Sequence, residues 1–378
     1  MEMPKLKTAH DIERATRAVI NLRAVFHNIA KIRKRIGDKR HLMAVVKADG
    51  YGHGSVEVSR TGLESGADCL GVALPEEGQQ LREAGIEVPI LVLGLIHPSE
   101  ASKVIDSSLE QTVCSLALAE ALDQEARKAS VRVNVHVKVD TGMGRIGVKP
   151  EDVYAFVERI QRLRNLNVRG VFTHLASADQ ADKTFSMRQI HVFDQMIREM
   201  QLKGVEIPLK HMANSAAILD LPESYYDLVR PGIMIYGHYP SEEVNRSVKL
   251  QPAMTLKTKI SFLKTVPPGT SISYGRAFIT DNETTVATIP VGYGDGYSRL
   301  LSGRGEVLIN GSRAPLVGRV CMDMCMIDVS QISNVKPGDE VILFGEDLSV
   351  DEIAAIVGTI NYEILCAVGK RVPRIYVS

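Results

Sequence analysis

An N-terminal (β/α)8 barrel followed by a β-rich domain is the fold class this sequence predicts, and two observations predict it. From about residue 21 to 240, short apolar strand-like runs alternate with amphipathic helical ones. From Val248 the texture changes to short alternating runs rich in Val, Ile, Thr, Gly and Pro, with turn signals between them. The boundary falls near 245, giving a barrel over 1–245 and a β-rich domain over 246–378. The opening residues are expected to pack on the second domain. A doubly wound open sheet is the alternative for the first, because counting strands does not by itself prove closure.

The first helix is read from Leu22, Val25, Phe26, Ile29, Ile32 and Ile36, with Gly37 where a C-terminal cap belongs. Eight strand candidates follow in order: HLMAVVK, CLGVA, PILVLG, QTVCS, VRVNVHVKVD, VRGVFTHLA, PLKHMA and YDLVRPG. Helical stretches separate them, such as PEEGQQLREAG and the run from Thr184 to Lys203. Beyond Val248, TLKTKISFLKTV and TTVATIPV read as strands, with PPG, GYGDG, NG and KPGD as turns.

Composition narrows the function classes. The 378 residues are 45% hydrophobic and 24% charged, with 45 Lys+Arg against 45 Asp+Glu, so no net field attracts nucleic acid or a membrane surface. The opening MEMPKLKTAHDIERATR has no apolar core of a signal peptide, and no run approaches the roughly 18 apolar residues of a membrane span. Five scattered cysteines suit a reducing cytoplasm, and Cys321 and Cys325 lack the partners of a zinc set.

Chemistry in a β/α barrel sits where strands end. HLMAVVK ends in Lys47, followed by ADGYGHG, whose Gly50, Gly52 and Gly54 suit a tight turn; no GK[ST] follows to make a nucleotide loop. In VRVNVHVKVD, Val131, Val133, Val135, Val137 and Val139 share the face toward the helices. Arg132, Asn134, His136, Lys138 and Asp140 share the face toward the barrel interior. VRGVFTHLA ends near His174, PLKHMA runs into Asn214 and Ser215, and YDLVRPG ends at Arg230. A Lys, a His and an Arg at three strand ends point to an anionic ligand. Ser215 reads as a helix N-cap, either satisfying backbone N–H groups or marking an anion site. Pro231 and Gly232 let the backbone at Gly232 and Ile233 approach an anion, or close a strand. On their side chains alone, Met322 reads as core and Tyr293 as turn packing.

AVVKADGYGHG at 44–54 resembles the cofactor-attachment signature of the alanine racemase family. KVDTGMGRIGV, THLASAD, HMANSAA, VRPGIMIYG, ISYGRAF, IPVGYGDGYSR, GRVCMDMCMID and TINYEIL resemble further blocks of that family, in family order, from 138 to 365. One departure lies near the start, where RATRAVINL replaces the family's tryptophan-containing strand; this chain has no Trp.

The resemblance implies a fold-type III enzyme dependent on pyridoxal 5′-phosphate (PLP), an isomerase supplying D-alanine for peptidoglycan. It implies a homodimer whose active sites are shared between subunits. Lys47 would carry PLP as a Schiff base and act as one base, and Tyr274 would act as the opposed base. His174 would lie against the pyridine ring and Tyr274. Arg145 would orient Tyr274 and attract the substrate carboxylate, and Arg230 would face the pyridine nitrogen. Tyr51, Asn214, Ser215, Tyr362 and the N–H groups of Gly232 and Ile233 would hold the cofactor and its phosphate. Met322 would donate its backbone N–H to the substrate carboxylate, Tyr293 would line the entry channel, and Lys138 would bear a carbamate facing Arg145. No metal is implied. The alternatives are a racemase of serine or of broad specificity, a PLP-dependent decarboxylase, and a non-catalytic PLP-binding barrel. The last lacks a second domain, so ISYGRAF and GRVCMDMCMID argue against it.

Overall fold

The computed structural model describes residues 14–378. The stretch before Arg14, including most of the opening segment expected to pack on the second domain, lies outside the described residues. The chain divides into two compact units. One comprises Val25–Gly50 and Ser55–Leu250; the other comprises Tyr51–Gly54, Gln251–Ser378 and the described residues up to Ala24.

In the first unit, strands β2 (His41–Val45), β3 (Cys69–Val72), β4 (Ile90–Val92), β5 (Glu110–Val113), β6 (Val133–Lys138), β7 (Leu166–Phe172), β8 (Leu209–His211) and β9 (Leu228–Val229) form a closed barrel. Every pairing is parallel, and His41 opposite Leu228 joins the last strand to the first. Closure excludes the open-sheet alternative. The strands are short and buried on both faces, so they read as continuous apolar runs such as ILV and CLGV rather than as alternations.

The helix α1 (Leu22–Ile36) buries Val25, Ile29, Ile32 and Ile36 on one stripe. Arg33, Lys34 and Arg35 in its last turn complement the helix dipole, and Gly37 ends it at φ 76°, where a side chain would be strained. Phe26 departs from the expected stripe and is 46% exposed. Asn28 is buried there instead, its Nδ2 donating to the Ile235 carbonyl at 3.0 Å.

The barrel interior has two halves. Met43, Cys69, Leu91 and Leu228, from β2, β3, β4 and β9, pack as an apolar cluster. Glu110, His136 and His211, from β5, β6 and β8, make the other half polar. A register shift between β6 and β7 falls at Val135/His136, and Gly170 on β7 lies beside the His136 ring. A Cβ at Gly170 would sit 2.2 Å from His136 Nδ1, so the bulge and the missing side chain together make room for an inward imidazole.

The second unit holds β1 (Arg17–Asn21), β10 (Met254–Lys259), β11 (Phe262–Val266), β12 (Ser271–Ile272), β13 (Phe278–Ile279), β14 (Thr284–Ile289), β15 (Glu306–Ile309), β16 (Ser312–Pro315), β17 (Cys325–Asp328), β18 (Glu340–Phe344) and β19 (Arg374–Val377). They build a six-stranded sheet in the order β16-β15-β18-β10-β1-β19, a three-stranded sheet β11-β14-β17 and the pair β12-β13. β1, where the tryptophan-containing strand was expected, lies between β10 and β19 with Ala18 and Ile20 fully buried. Small and branched side chains fill that position without an indole. Among the described residues no helix is long and apolar enough to cross a membrane.

Candidate active site

Lys47 follows β2, and the backbone after it is unusual. Ala48, Asp49, Gly50 and Tyr51 all lie in the left-handed region, with φ of 53°, 53°, 61° and 51°. The glycines were expected to make this turn, yet three of its four residues carry side chains. Each such residue costs about 1–2 kcal/mol, so the surroundings must hold the turn. They do so through hydrogen bonds. Gly50 N–H donates to the Val46 carbonyl at 2.8 Å, Ala48 N–H to Glu77 Oε1 at 2.6 Å, and Ser55 N–H to Asp49 Oδ1 at 2.9 Å. Glu77 also accepts from Ala73 N–H at 2.7 Å, so one carboxylate ties the Lys47 turn to the end of β3.

Lys138 is the last residue of β6, and its amine lies 4.7 Å from the centre of the Phe172 ring. Its Nζ is buried without a hydrogen-bond partner among the described residues. Burial, then Arg230 and Arg145, pushes its pKa well below the ordinary lysine value. Arg145 is exposed on the loop after Asp140, whose Oδ1 accepts from Gly142 and Gly144 N–H, both at 3.0 Å. Gly147 closes that loop, because a Cβ there would fall 2.4 Å from the Asp140 nitrogen.

His174 follows β7. Burial, and then Arg230, Lys138, Arg145 and Lys47, drive its pKa well below the ordinary histidine value, so it is neutral at pH 7. The four cations expected from strand ends and motifs therefore all act electrostatically on one imidazole.

Arg230, directly after β9, is buried and makes three side-chain hydrogen bonds. Its Nη1 donates to His211 Nδ1 at 2.8 Å, and its Nη2 to the carbonyls of Thr173 at 2.8 Å and Met212 at 3.0 Å. Burial pushes its pKa down to about 9, still above neutrality, so it stays charged. His211 stacks on Phe172 with ring centres 4.6 Å apart and the planes nearly parallel. His211 Nε2 meets His136 Nδ1 at 2.9 Å, and His136 Nε2 meets Glu110 Oε2 at 3.0 Å. Sequence reasoning set His136 on the inward face but missed His211 and Glu110 as its partners, and Phe172 as the ring stacked on His211. The available signal was that an inward histidine demands polar partners on the neighbouring strands.

The helix Ser215–Asp220 corrects one assignment. Its N-cap is Asn214, whose Oδ1 accepts from Ala217 N–H at 3.0 Å, and not Ser215. Ser215, now the first helical residue, accepts the Gly232 N–H on its Oγ at 2.9 Å. Ile233 begins the short 3-10 turn Ile233–Tyr236 that follows.

In the other unit, the rings of Tyr51 and Tyr362 lie 5.9 Å apart, and burial raises the Tyr51 pKa. Tyr274 is 72% exposed. It stands on a strained loop, with Ser273 at φ 69° and Arg276 at φ 52°. Ser273 Oγ donates to the Arg319 carbonyl at 2.9 Å and accepts the Arg319 N–H at 3.0 Å, which pins that loop. Tyr293 N–H donates to the Cys321 carbonyl and Gly294 N–H to the Met322 carbonyl. Met322 is 53% exposed, which overturns its side-chain reading as core. Buried Asp295 holds this loop by accepting from Gly292 N–H, Arg14 and Arg371.

A closed β/α barrel with cations near its strand ends, in a chain whose second, β-rich unit exposes a tyrosine, is the architecture of a two-domain barrel enzyme. Comparison with known proteins names the family. Residues 20–240 match the family "Alanine racemase, N-terminal domain" and 253–376 match "Alanine racemase, C-terminal domain". The alanine racemase of Desulforamulus reducens is 50% identical over 96% of this chain and 98% of its own length. That of Methanococcus maripaludis is 47% identical over 95% and 98%. Among solved structures, the alanine racemase of Clostridium difficile 630 matches at TM-score 0.94 and 40% identity, over 97% of this chain and 96% of that one. The Bacillus anthracis alanine racemase with bound L-Ala-P matches at 0.92 and 36%, over the same shares. The chain belongs to the alanine racemase family, and its activity is the family's, an isomerase reaction on alanine. The family is PLP-dependent.

Proposed function

We propose that this chain racemises alanine with PLP by a two-base mechanism, with Lys47 on one face of the substrate carbon and Tyr274 on the other. The observation that carries the reading is the cationic group around His174. Lys47, Lys138, Arg145 and Arg230 act on one neutral imidazole, and Lys138 Nζ has no hydrogen-bond partner among the described residues. Such a site is short of negative charge, which the phosphate of PLP and the carboxylate of alanine both bring. PLP supplies the electron sink that makes the α-proton of alanine acidic.

The roles of the chain's own residues follow from their surroundings. Lys47 attaches the cofactor, and its Nζ takes or returns the α-proton. The strained, hydrogen-bonded turn behind it limits where that amine can point. Arg230, always a donor, faces the pyridine nitrogen and keeps it unprotonated. His174 lies against the ring, and its neutrality suits that place beside the cations. Tyr51, Tyr362, Asn214, Ser215, Gly232 and Ile233 hold the phosphate end by hydrogen bonds. Ser215 Oγ and Gly232 N–H already converge.

Tyr274 comes from the second unit, with Met322 offering its N–H to the substrate carboxylate and Tyr293 at the entrance. The exposure of Tyr274, Tyr293 and Met322 supports a homodimer in which a second copy of the chain covers this surface. Each active site then draws on two chains. The depressed pKa of Lys138 raises the share of its neutral amine, the form that adds carbon dioxide and releases a proton. The resulting carbamate is a counter-charge for Arg145. A bare ammonium at Lys138 in high-resolution electron density would remove that element.

A cytoplasmic, peptidoglycan-supplying role fits the free cysteines. Incubation with L-alanine and PLP followed by chiral analysis is the test. D-alanine is expected, and a folded, PLP-loaded sample that forms none, or that turns over serine or lysine in preference, defeats the reading.

A further inference from the structure

Behind Arg230, three side chains cross the barrel in single file, and their chemistry allows one proton order. An arginine only donates, so His211 Nδ1 must accept at 2.8 Å. The His211 proton then sits on Nε2 and is given to His136 Nδ1 at 2.9 Å. The His136 proton likewise sits on Nε2 and is given to Glu110 Oε2 at 3.0 Å. Such a row has no clash only if it begins at a permanent donor and ends at a permanent acceptor. Reversing the histidines would set a His211 Nδ1–H against the Arg230 N–H.

We infer that Glu110 is a positioning residue for this site: Arg230 sets the tautomers of His211 and His136, and the buried Glu110 carboxylate accepts the last proton of that row, anchoring both rings and through them the placement of the Arg230 guanidinium. The inference rests on the reading that Arg230 faces the cofactor ring. Three independent features of the fold serve the row. The β6–β7 bulge falls at His136, Gly170 has no Cβ to fill the ring's space, and Phe172 stacks on His211. Glu110 is itself satisfied, its Oε1 accepting from Asn134 Nδ2 at 2.9 Å with Arg169 Nε at 3.5 Å. The groups facing it are Cys69 from β3, Arg82 from the helix Pro75–Glu83, Asn134 and His136 from β6, and Arg169 from β7. Burial raises the Glu110 pKa, but His136, Arg169 and Asn134 outweigh it and hold the carboxyl below its ordinary value, hence ionised. Nothing in this row reaches the reacting atoms except through Arg230.

The test is nitrogen-edited NMR of histidine-labelled protein, with and without PLP, on the wild type, Glu110→Gln and Glu110→Asp. In the wild type both His136 and His211 are expected as Nε2–H tautomers, a result that needs no variant to fold. In Glu110→Gln, whose neutral amide oxygen accepts more weakly than the carboxylate, the His136 Nε2–H resonance moves upfield and the absorption of bound PLP shifts. There kcat falls about tenfold while KM for alanine stays within about twofold. Glu110→Asp retains the wild-type tautomers. A wild-type His211 protonated at Nδ1, or a His136 Nε2–H resonance indifferent to Glu110→Gln, overturns the inference. A His136 resonance that moves while PLP absorption and kcat do not would instead show that Arg230 is not against the ring, which separates the two failures.

Discussion

Replacing Arg230 with glutamate exchanges a permanent donor for a group that prefers to accept, at a point where three acceptors converge. Burial lowers the Arg230 pKa only to about 9, so at pH 7 the guanidinium stays protonated and its neighbours meet a donor. In Arg230→Glu, His211 Nδ1, the Thr173 carbonyl and the Met212 carbonyl all lose that donor. His211 Nδ1 keeps a donor only while the new carboxyl is protonated; the two carbonyls keep none. Each buried acceptor left unpaired costs about 1–3 kcal/mol, so the barrel should lose roughly 2–6 kcal/mol. For a unit of this size the melting temperature should fall by roughly 5–20 °C.

The chemical consequence is separate from the stability loss. A carboxyl group in place of arginine allows the pyridine nitrogen to be protonated, which deepens the electron sink and admits proton return at the cofactor rather than at the substrate. Up to one equivalent of pyruvate per bound cofactor would then form beside D-alanine, the amino group remaining on the cofactor as pyridoxamine phosphate. The assay incubates PLP-loaded variant and wild type with L-alanine and measures both products. The pyruvate-to-D-alanine ratio should rise at least about tenfold. An unchanged ratio in a variant with the lowered melting temperature would show that Arg230 is a structural arginine only, and would refute the reasoning.

Two further predictions follow from the same half of the barrel. Gly170→Ala places a Cβ 2.2 Å from His136 Nδ1, so the ring must leave its row; urea unfolding should show a loss of about 1–3 kcal/mol, and wild-type stability would contradict the steric argument. His174 and His211 are both held neutral by burial and neighbouring cations, so below about pH 6.5 the unfolded chain binds more protons than the folded one. Stability should fall as pH drops below that value, by up to about 2.7 kcal/mol per pH unit for the pair, and a flat urea midpoint from pH 7 to 5 would contradict it.

Much of this architecture is legible in the sequence because a buried parallel barrel writes itself as short apolar runs between helices. Lys47, His174 and Arg230 were visible for a related reason, since polar residues at the ends of such runs stand out. Glu110, His211 and Gly170 were not, because their meaning lies in which residues of separate strands meet across the barrel. The register shift at His136 moves that meeting by one residue, and no single strand records it. Local signals failed at smaller scale. Phe26 fits the helical stripe yet faces outward, while Asn28 is buried with its amide donating to the Ile235 carbonyl. Ser215 and Asn214 are both good caps by type, and only the bond to Ala217 separates them.

The central claim is that Lys47 and Tyr274 act together as opposed bases, supplied by two copies of the chain. Separately purified Lys47→Ala and Tyr274→Phe proteins should each be nearly inactive in racemisation. After mixing in equal amounts under conditions where subunits exchange, half of the dimers carry one intact site out of two. Roughly a quarter of the wild-type activity should therefore return. No recovery in a mixture whose heterodimers are shown to have formed would contradict the account.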